Sequence, residues 1–112
     1  MRCPKCQSAT LREKNFDGVK IDRCSSCHGT WFDARELGQL LAAEANQVAG
    51  LRQGGANTTA DDKQGNCPRD GSALLRIYSA IDRAVVLDAC ADCHGIWLDG
   101  GEFEKLYNTL TA

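Results

Sequence analysis

Residues 3–41 read CPKCQSATLREKNFDGVKIDRCSSCHGTWFDARELGQLL, and residues 67–110 read CPRDGSALLRIYSAIDRAVVLDACADCHGIWLDGGEFEKLYNTL. Each stretch contains a CP turn, two strand-like runs, a CxxCHG turn and the pattern W-[FL]-D-x-x-E. A pattern repeated in this way indicates one supersecondary unit that is present twice. The chain therefore consists of two similar halves.

All seven cysteines of the chain lie inside the repeated unit. When the two copies are aligned from their CP turns, Asp70 takes the place of the missing eighth cysteine. The cysteines are Cys3, Cys6, Cys24 and Cys27 in the first copy and Cys67, Cys90 and Cys93 in the second.

Each half has about 45 residues, a size at which hydrophobic burial alone gives marginal stability. Apolar burial and the entropy of chain ordering nearly cancel in such a unit, whereas a structural zinc ion adds on the order of 10 kcal/mol. Paired CxxC motifs and an odd cysteine count favour metal binding over a disulfide framework.

Charge and hydropathy exclude several classes of protein. The formal net charge is −2, with 7 basic and 6 acidic residues in 1–45, 2 and 2 in 46–65, and 4 and 7 in 66–112. No polybasic surface for nucleic acid or membrane is indicated. The first residues, MRCPKC, have no signal-peptide pattern, and no 18 apolar residues occur in succession. We therefore expect a reducing, cytoplasmic location and no membrane partner.

Alternating apolar residues predict a β-hairpin in each half, with an Asp-Gly turn signal in the first. The second half has two more residues between its strands, and we expect them in the hairpin loop. The predicted strands cover residues 11–15, 19–24, 74–80 and 85–90.

A helix is predicted after each hairpin. Asp33 with Glu36, and Asp99 with Glu102, have the spacing of a capping box, and apolar residues then recur at helical spacing. The first helix is expected to end between residues 49 and 52. The polar, glycine-rich stretch 53–65 is interpreted as a flexible linker.

The predicted fold is a small metal-stabilised α+β protein with two tandem zinc ribbons, residues 1–52 and 66–112. Each ribbon is a β-hairpin between two cysteine turns, or knuckles, followed by a capped helix.

Two zinc ions are predicted, because a CxxC turn brings two sulfurs to one ion and two such turns complete a tetrahedron. In the second site the alternatives to Asp70 as fourth ligand are His94, water or no metal. Water would leave the open position that catalytic zinc needs. The predicted ligands are Cys3, Cys6, Cys24 and Cys27 for one ion and Cys67, Asp70, Cys90 and Cys93 for the other.

These motifs resemble the bacterial transcription-factor zinc-finger domain, which is named for its similarity to the zinc ribbon of general transcription factor IIB. The resemblance rests on CPKC…CSSCHGTWFDARELGQLL and CP…CADCHGIWLDGGEFEKL and covers about four fifths of the chain as two tandem copies. It implies a small zinc-binding module. Asp70 departs from the family's four-cysteine pattern, which maps onto Cys3, Cys6, Cys24 and Cys27.

Two alternative functions use the same cysteines. CxxCH at residues 24–28 and 90–94 is also the signature of c-type haem attachment, which requires export and usually a distal ligand. Haem would leave Cys3 and Cys6 unexplained. A thiol redox switch is the second alternative, but redox CxxC pairs lie at helix N-termini, whereas these are expected at hairpin ends.

Nucleic-acid binding is a third alternative, because six basic residues precede Cys24 against three acidic ones. We interpret them as a solvated strand face whose charge the metal centre offsets. Trp31 and Trp97 are expected to pack beside the metal sites rather than to stack on bases. His28 and His94 are expected outside the ligand sets or at the surface.

The sequence therefore predicts a non-catalytic zinc-binding module that acts as an adaptor or regulator on an unidentified protein partner. Nucleic acid is the alternative ligand. If the apolar stripes of the helices exceed what their own ribbons cover, we expect the halves to pack together or the chain to form a homodimer through its helices.

Overall fold

The computed structural model describes residues 1–7, 9–16, 18–51 and 63–111. Residues 53–62 of the predicted linker therefore lie outside the described residues. Within these ranges there are six strands and two α-helices. They are β1 (Arg12–Phe16), β2 (Val19–Arg23), β3 (Thr30–Phe32), α1 (Glu36–Leu41), β4 (Leu75–Tyr78), β5 (Val86–Ala89), β6 (Ile96–Leu98) and α2 (Glu102–Thr111).

The predicted hairpins are present as β1–β2 and β4–β5, both antiparallel. Each half also has a third strand, β3 or β6, that was not predicted. These strands span only three residues, too few for an alternating pattern to be recognised in the sequence. They begin directly after the second cysteine turn of each copy.

All six strands form one antiparallel sheet in the order β1-β2-β3-β6-β5-β4. The halves meet at β3 and β6, where Trp31 lies opposite Trp97. The flanking pairs, Thr30 with Leu98 and Phe32 with Ile96, place equivalent residues of the two copies symmetrically about this central pair. The two zinc ribbons are therefore related by an approximate twofold axis and pack together in one chain.

The sheet has two covered faces, because side chains alternate along each strand. On the helix face, Ile21, Phe32 and Leu98 pack with apolar residues of α1 and α2. On the opposite face, which we call the knuckle face, Trp31 and Trp97 pack with the cysteine turns. The sheet is thus a layer between two helices and two sets of metal ligands.

The helices bury their apolar stripes inside the chain. Leu37, Leu40 and Leu41 of α1 are buried, as are three residues of α2, whereas Leu110 is exposed. The α2 residues are Phe103, Leu106 and Tyr107. The apolar stripes that suggested dimerisation are thus largely covered by packing between the two halves of one chain. The homodimer stays a prediction.

The predicted end of the first helix is wrong. α1 ends at Leu41, and a separate 3-10 turn follows at Ala45–Gln47. Glu44 adopts an extended conformation and forms a capping box with Gln47, which starts this new turn. The change of direction allows the later apolar residues Val48 and Leu51 to enter the core on the helix face.

The indole ring of each tryptophan packs directly against a glycine of the other half. A Cβ atom added at Gly29 would overlap the indole ring of Trp97, and one added at Gly95 would overlap that of Trp31. Both tryptophans are fully buried, which confirms the prediction that they pack. The glycine of the CHG motif is therefore required by the tryptophan of the opposite copy.

Substitution Gly95→Ala is expected to lower the free energy of unfolding by about 3 kcal/mol, the upper end for overpacking a core. Urea denaturation of the zinc-saturated protein measures this change. Gly38→Ala is the matched control: it lies within α1 with open space around it, and alanine should stabilise the helix by about 0.5–1 kcal/mol. Equal effects of the two substitutions would contradict the proposed overlap.

Candidate metal centres

Four tight turns carry the predicted ligands, and they share one backbone conformation. In each, the N–H of the residue four positions after the first ligand donates to that ligand's carbonyl, and the donor residue has a positive φ. The donors are Gln7, His28, Gly71 and His94, with N···O distances of 2.9–3.0 Å. The histidine of CxxCH thus closes its turn through its backbone N–H, as Gln7 and Gly71 do in the other two turns.

The first cluster brings together Cys3, Cys6, Cys24 and Cys27, whose sulfur atoms all lie within 4.8 Å of one another. The Sγ–Sγ distance is 3.6 Å between Cys3 and Cys27 and 3.9 Å between Cys6 and Cys24. Tetrahedral zinc with bonds of about 2.3 Å separates its sulfur ligands by about 3.8 Å. The cluster therefore fits a zinc ion.

Crowding and burial raise the pKa of two thiols of this cluster, those of Cys6 and Cys27, and so keep them protonated without metal. Burial, followed by the neighbouring Cys27 and Cys24 thiols, raises the pKa of Cys6 to about 11. The Cys3 thiol, followed by burial, raises the pKa of Cys27. Zinc must displace these protons when it binds, so binding is expected to be strongly dependent on pH.

The second cluster brings together Cys67, Asp70, Cys90 and Cys93, again with ligand atoms within 4.8 Å of one another. The Sγ atoms of Cys67 and Cys93 are 3.7 Å apart, and Asp70 Oδ2 lies 3.4 Å from Cys90 Sγ. This set of three sulfurs and one carboxylate oxygen also fits zinc. Among the described residues, His94 does not belong to either set of converging ligand atoms.

The Asp70 carboxylate is oriented by Ser72. Its Oδ1 accepts hydrogen bonds from the Ser72 hydroxyl at 2.6 Å and from the Ser72 N–H at 2.9 Å, which leaves Oδ2 toward the sulfurs. The hydroxyl, followed by the N–H, lowers the pKa of Asp70 to about 2. The carboxylate is thus ionised at neutral pH and can bind a metal without releasing a proton.

The thiols of the second cluster differ from one another. Burial raises the pKa of Cys67 to about 12, although the N–H groups of Asp70 and Arg69 oppose this shift. Burial also acts to raise the pKa of Cys90, but hydrogen bonds from the Cys93 N–H and the Ser72 hydroxyl contribute to a net lowering. The pKa of Cys90 is therefore lower than that of Cys67, and Cys90 ionises more readily.

Substitution Asp70→Ala is expected to weaken the second zinc site by more than about 100-fold, the upper end for loss of an outer-shell partner. Native mass spectrometry at limiting zinc should show two ions in the parent and one in the variant. His94→Ala and Asp70→Cys are the controls, and both should retain two ions. Retention of two tightly bound ions in Asp70→Ala would exclude Asp70 as a ligand.

A buried ion-pair network beside the clusters was missed in the sequence. Lys5 Nζ lies 3.0 Å from Asp99 Oδ2 and 3.2 Å from Asp88 Oδ2, and the three side chains are 1% exposed or less. Arg76 Nη1 contacts the other oxygen of Asp88 at 3.1 Å. Burial raises the pKa of Asp88 to about 6, although Lys5 opposes the shift. Lys5 thus connects the first cysteine turn to the second half.

The symmetry-related contact joins Arg69 to Asp33, through both Nε and Nη2. Arg69 has the place of Lys5, two residues after the first cysteine of the copy. The side chain of Arg69 is 45% exposed and that of Asp33 is 36% exposed. The same contact between halves is therefore made twice, once buried and once at the surface. A cationic residue occupies the third position of both CPxx turns, and this pattern could have indicated the contact from the sequence.

The capping box of α1 is formed only in part. Glu36 accepts a hydrogen bond from the Asp33 N–H at 2.8 Å, and Glu102 accepts one from the Asp99 N–H at 2.7 Å. In α1, however, no side-chain cap bond is made at the N-terminus. Asp33 instead accepts from Trp31 Nε1 at 3.0 Å. The equivalent indole bond is donated by Trp97 Nε1 to Asp99 Oδ1 and is 2.9 Å long.

Comparison with known proteins gives one family. The family model described as transcription factor zinc-finger matches residues 2–43 and 66–109. The two matches coincide with the two copies and include all eight clustered ligands. No curated protein and no solved structure matches the chain.

Proposed function

The chain belongs to the transcription factor zinc-finger family, and from this premise we propose that it is a non-catalytic adaptor that binds an extended segment of a partner protein along β4. Its zinc-binding character follows from the family and the two ligand clusters. The observation that carries the proposed activity is the apolar outer edge of the sheet at β4.

The closed ligand sets support a structural role for the metal. Each cluster supplies four protein ligands, which complete the tetrahedron that structural zinc prefers, whereas catalytic zinc keeps a position for water or substrate. None of the helices in the described ranges is long and apolar enough to cross a bilayer.

β4 is the last strand of the sheet in the described ranges. Residues 63–66 run beside its start, where Asn66 bridges Ala73 and Arg76 Nη1 donates to the Lys63 carbonyl. The rest of its outer edge, around Ile77 and Tyr78, has no partner strand among the described residues. Leu75, Ile77 and Tyr78 are 51%, 46% and 69% exposed. An apolar edge strand with unpaired N–H and C=O groups is a template for another strand. Addition of a peptide strand would satisfy these groups and cover the apolar side chains.

The opposite edge of the sheet shows that the fold does not need apolar residues there. Leu75 pairs with Ala89 in the same register in which Arg12 pairs with Arg23. By this register Ile77 corresponds to Lys14 and Tyr78 to Asn15. β1 therefore carries the charged side chains that protect an edge from pairing, and β4 lacks most of them.

Further apolar surface lies close to the end of β4. The loop after β4 contains Ile81, which is exposed, and α2 contains the exposed Leu110. Thr109 Oγ1 donates to Asp82 Oδ2 at 3.2 Å, which ties the end of α2 to this loop. A partner segment longer than β4 would find apolar contacts there.

Selection of random peptides on the zinc-loaded protein tests this proposal. We expect selected peptides with alternating apolar residues that perturb the backbone amides of β4 in NMR spectra. Ile77→Lys should weaken their binding at least tenfold, or about 1.4 kcal/mol. The variant places on β4 the positive charge that Lys14 carries at the corresponding position of β1. Lys14→Gln, at the corresponding position of β1, should leave the affinity unchanged.

Three results would contradict the proposal. They are failure to select any peptide, binding that Ile77→Lys does not weaken, and a sedimentation equilibrium in which a second copy of the chain occupies β4. A second copy at β4 would also support the predicted homodimer, but with an interface at the sheet edge instead of at the helices.

Nucleic acid is the less supported ligand. Of the six basic residues before Cys24, Lys5 is buried in an ion-pair network and does not contribute to a positive surface. The net charge of −2 also opposes a polyanion. Binding to random DNA that weakens steeply with added salt would favour this alternative.

A further inference from the structure

A cleft of about 270 Å³ lies at the β1 edge of the sheet, which is the edge opposite to β4. Its lining has three cationic side chains, one hydroxyl and one imidazole, and it contains no acidic residue. We call it the basic cleft, and its residues are Arg12, Lys14, Arg23, Ser25 and His28.

The cations of the basic cleft repel one another. Arg12 lies directly opposite Arg23 in the β1–β2 ladder, and Lys14, two residues along β1, is on the same face. Like charges directly opposite each other destabilise a sheet. No carboxylate of the described residues lies within ion-pair distance of Arg12 or Lys14. The nearby Glu13 instead pairs with Lys20 at 3.9 Å, on the other face.

Arg23 is held in place before any ligand arrives. Its Nη1 donates to the Gly50 carbonyl at 2.6 Å, and the residue is half-buried. A guanidinium fixed in this way loses little entropy when it binds an anion. Arg12 and Lys14 are exposed and can close over an anion beside it.

The second copy builds the same backbone without these charges. Counting from the cysteines and the strand register, four of the five positions have an apolar residue there, and only the histidine is kept. The hairpin therefore does not require the cations. The corresponding residues are Leu75, Ile77, Ala89, Ala91 and His94.

We propose that the basic cleft binds the phosphate group of a phosphate monoester. Three cations with hydroxyl and imidazole donors around a small volume suit one compact dianion, which can accept several charge-assisted hydrogen bonds. The proposal is independent of partner binding at β4.

NMR titration of the zinc-loaded protein tests the proposal with three probes: glycerol phosphate, a phosphoserine peptide and a single-stranded oligonucleotide. We expect saturable binding of a monoester that perturbs the amides of the basic cleft. The first two probes distinguish a small ester from a phosphorylated protein as its source. The double variant Arg12→Leu, Lys14→Ile should weaken binding at least tenfold.

The double variant should fold, because the second copy already has Leu and Ile at these positions. Its zinc content and amide spectrum check this. Lys20→Gln removes a cation from the other face and should leave binding unchanged. The proposal is overturned if neither monoester saturates, if the double variant binds them equally well, or if the oligonucleotide binds more than tenfold more tightly, which would assign the cleft to nucleic acid.

Discussion

Removal of zinc is expected to unfold both halves of the protein in one cooperative transition. Each structural zinc ion contributes on the order of 10 kcal/mol to folding, and small domains have total stabilities of only about 5–15 kcal/mol. The halves share the β3–β6 ladder and the core around Trp31 and Trp97. When one half loses its ion and unfolds, the other half therefore loses these strand pairs and core contacts.

A single-site variant separates this expectation from independent unfolding. Cys24→Ser removes one ligand of the first cluster, and we expect it to lower hydrogen-exchange protection in β5 and β6 as well as in β1 and β2. Ser26→Ala, an exposed change in the same turn, is the control. Circular dichroism and mass spectrometry during stepwise chelation should show loss of structure together with loss of zinc.

The outcome that contradicts this account is a second half that keeps its protection and its ion in Cys24→Ser. Retention of the complete fold after both ions are removed would be more serious, since hydrophobic burial would then suffice for a chain of this size.

Substitution Lys5→Met is expected to lower the free energy of unfolding by about 3–5 kcal/mol, because it leaves the buried carboxylates of Asp88 and Asp99 without their shared cation. Arg69→Met is a control supplied by the internal symmetry. Its contact with Asp33 is more than a third exposed on both sides, so its loss should cost no more than about 1 kcal/mol.

Urea denaturation of the zinc-saturated variants measures the difference between these two substitutions. Comparable losses for Lys5→Met and Arg69→Met would show that burial does not determine the strength of this contact. A large loss for Lys5→Met that disappears when both carboxylates are also neutralised would identify uncompensated charge as the cause.

The cysteine spacing was sufficient to predict the metal-stabilised fold, because CxxC turns and an Asp-Gly hairpin are local features. The fit of two zinc ions is confirmed by the family and by the ligand clusters. The position of Asp70 followed from alignment of the copies alone. These features depend on residues that are close in sequence or directly repeated.

The connection between halves could not be predicted in the same way. β3 and β6 are too short to show periodicity, and the pairing of Trp31 with Trp97 joins residues that are far apart in the chain. Asp33 has capping-box spacing whether its side chain bonds the helix or the indole of Trp31. Only tertiary packing distinguishes the two, and it also determines that Lys5 is buried while Arg69 is exposed.

The continuous strand order has a consequence for the two proposed ligands. Neighbouring strands are about 4.8 Å apart, so five steps from β1 to β4 place the outer strands about 24 Å from each other. This separation is set by main-chain hydrogen bonds and not by the length of the segment that connects the copies. The protein would then act as a spacer of defined length, with a phosphate held at one end and a peptide at the other.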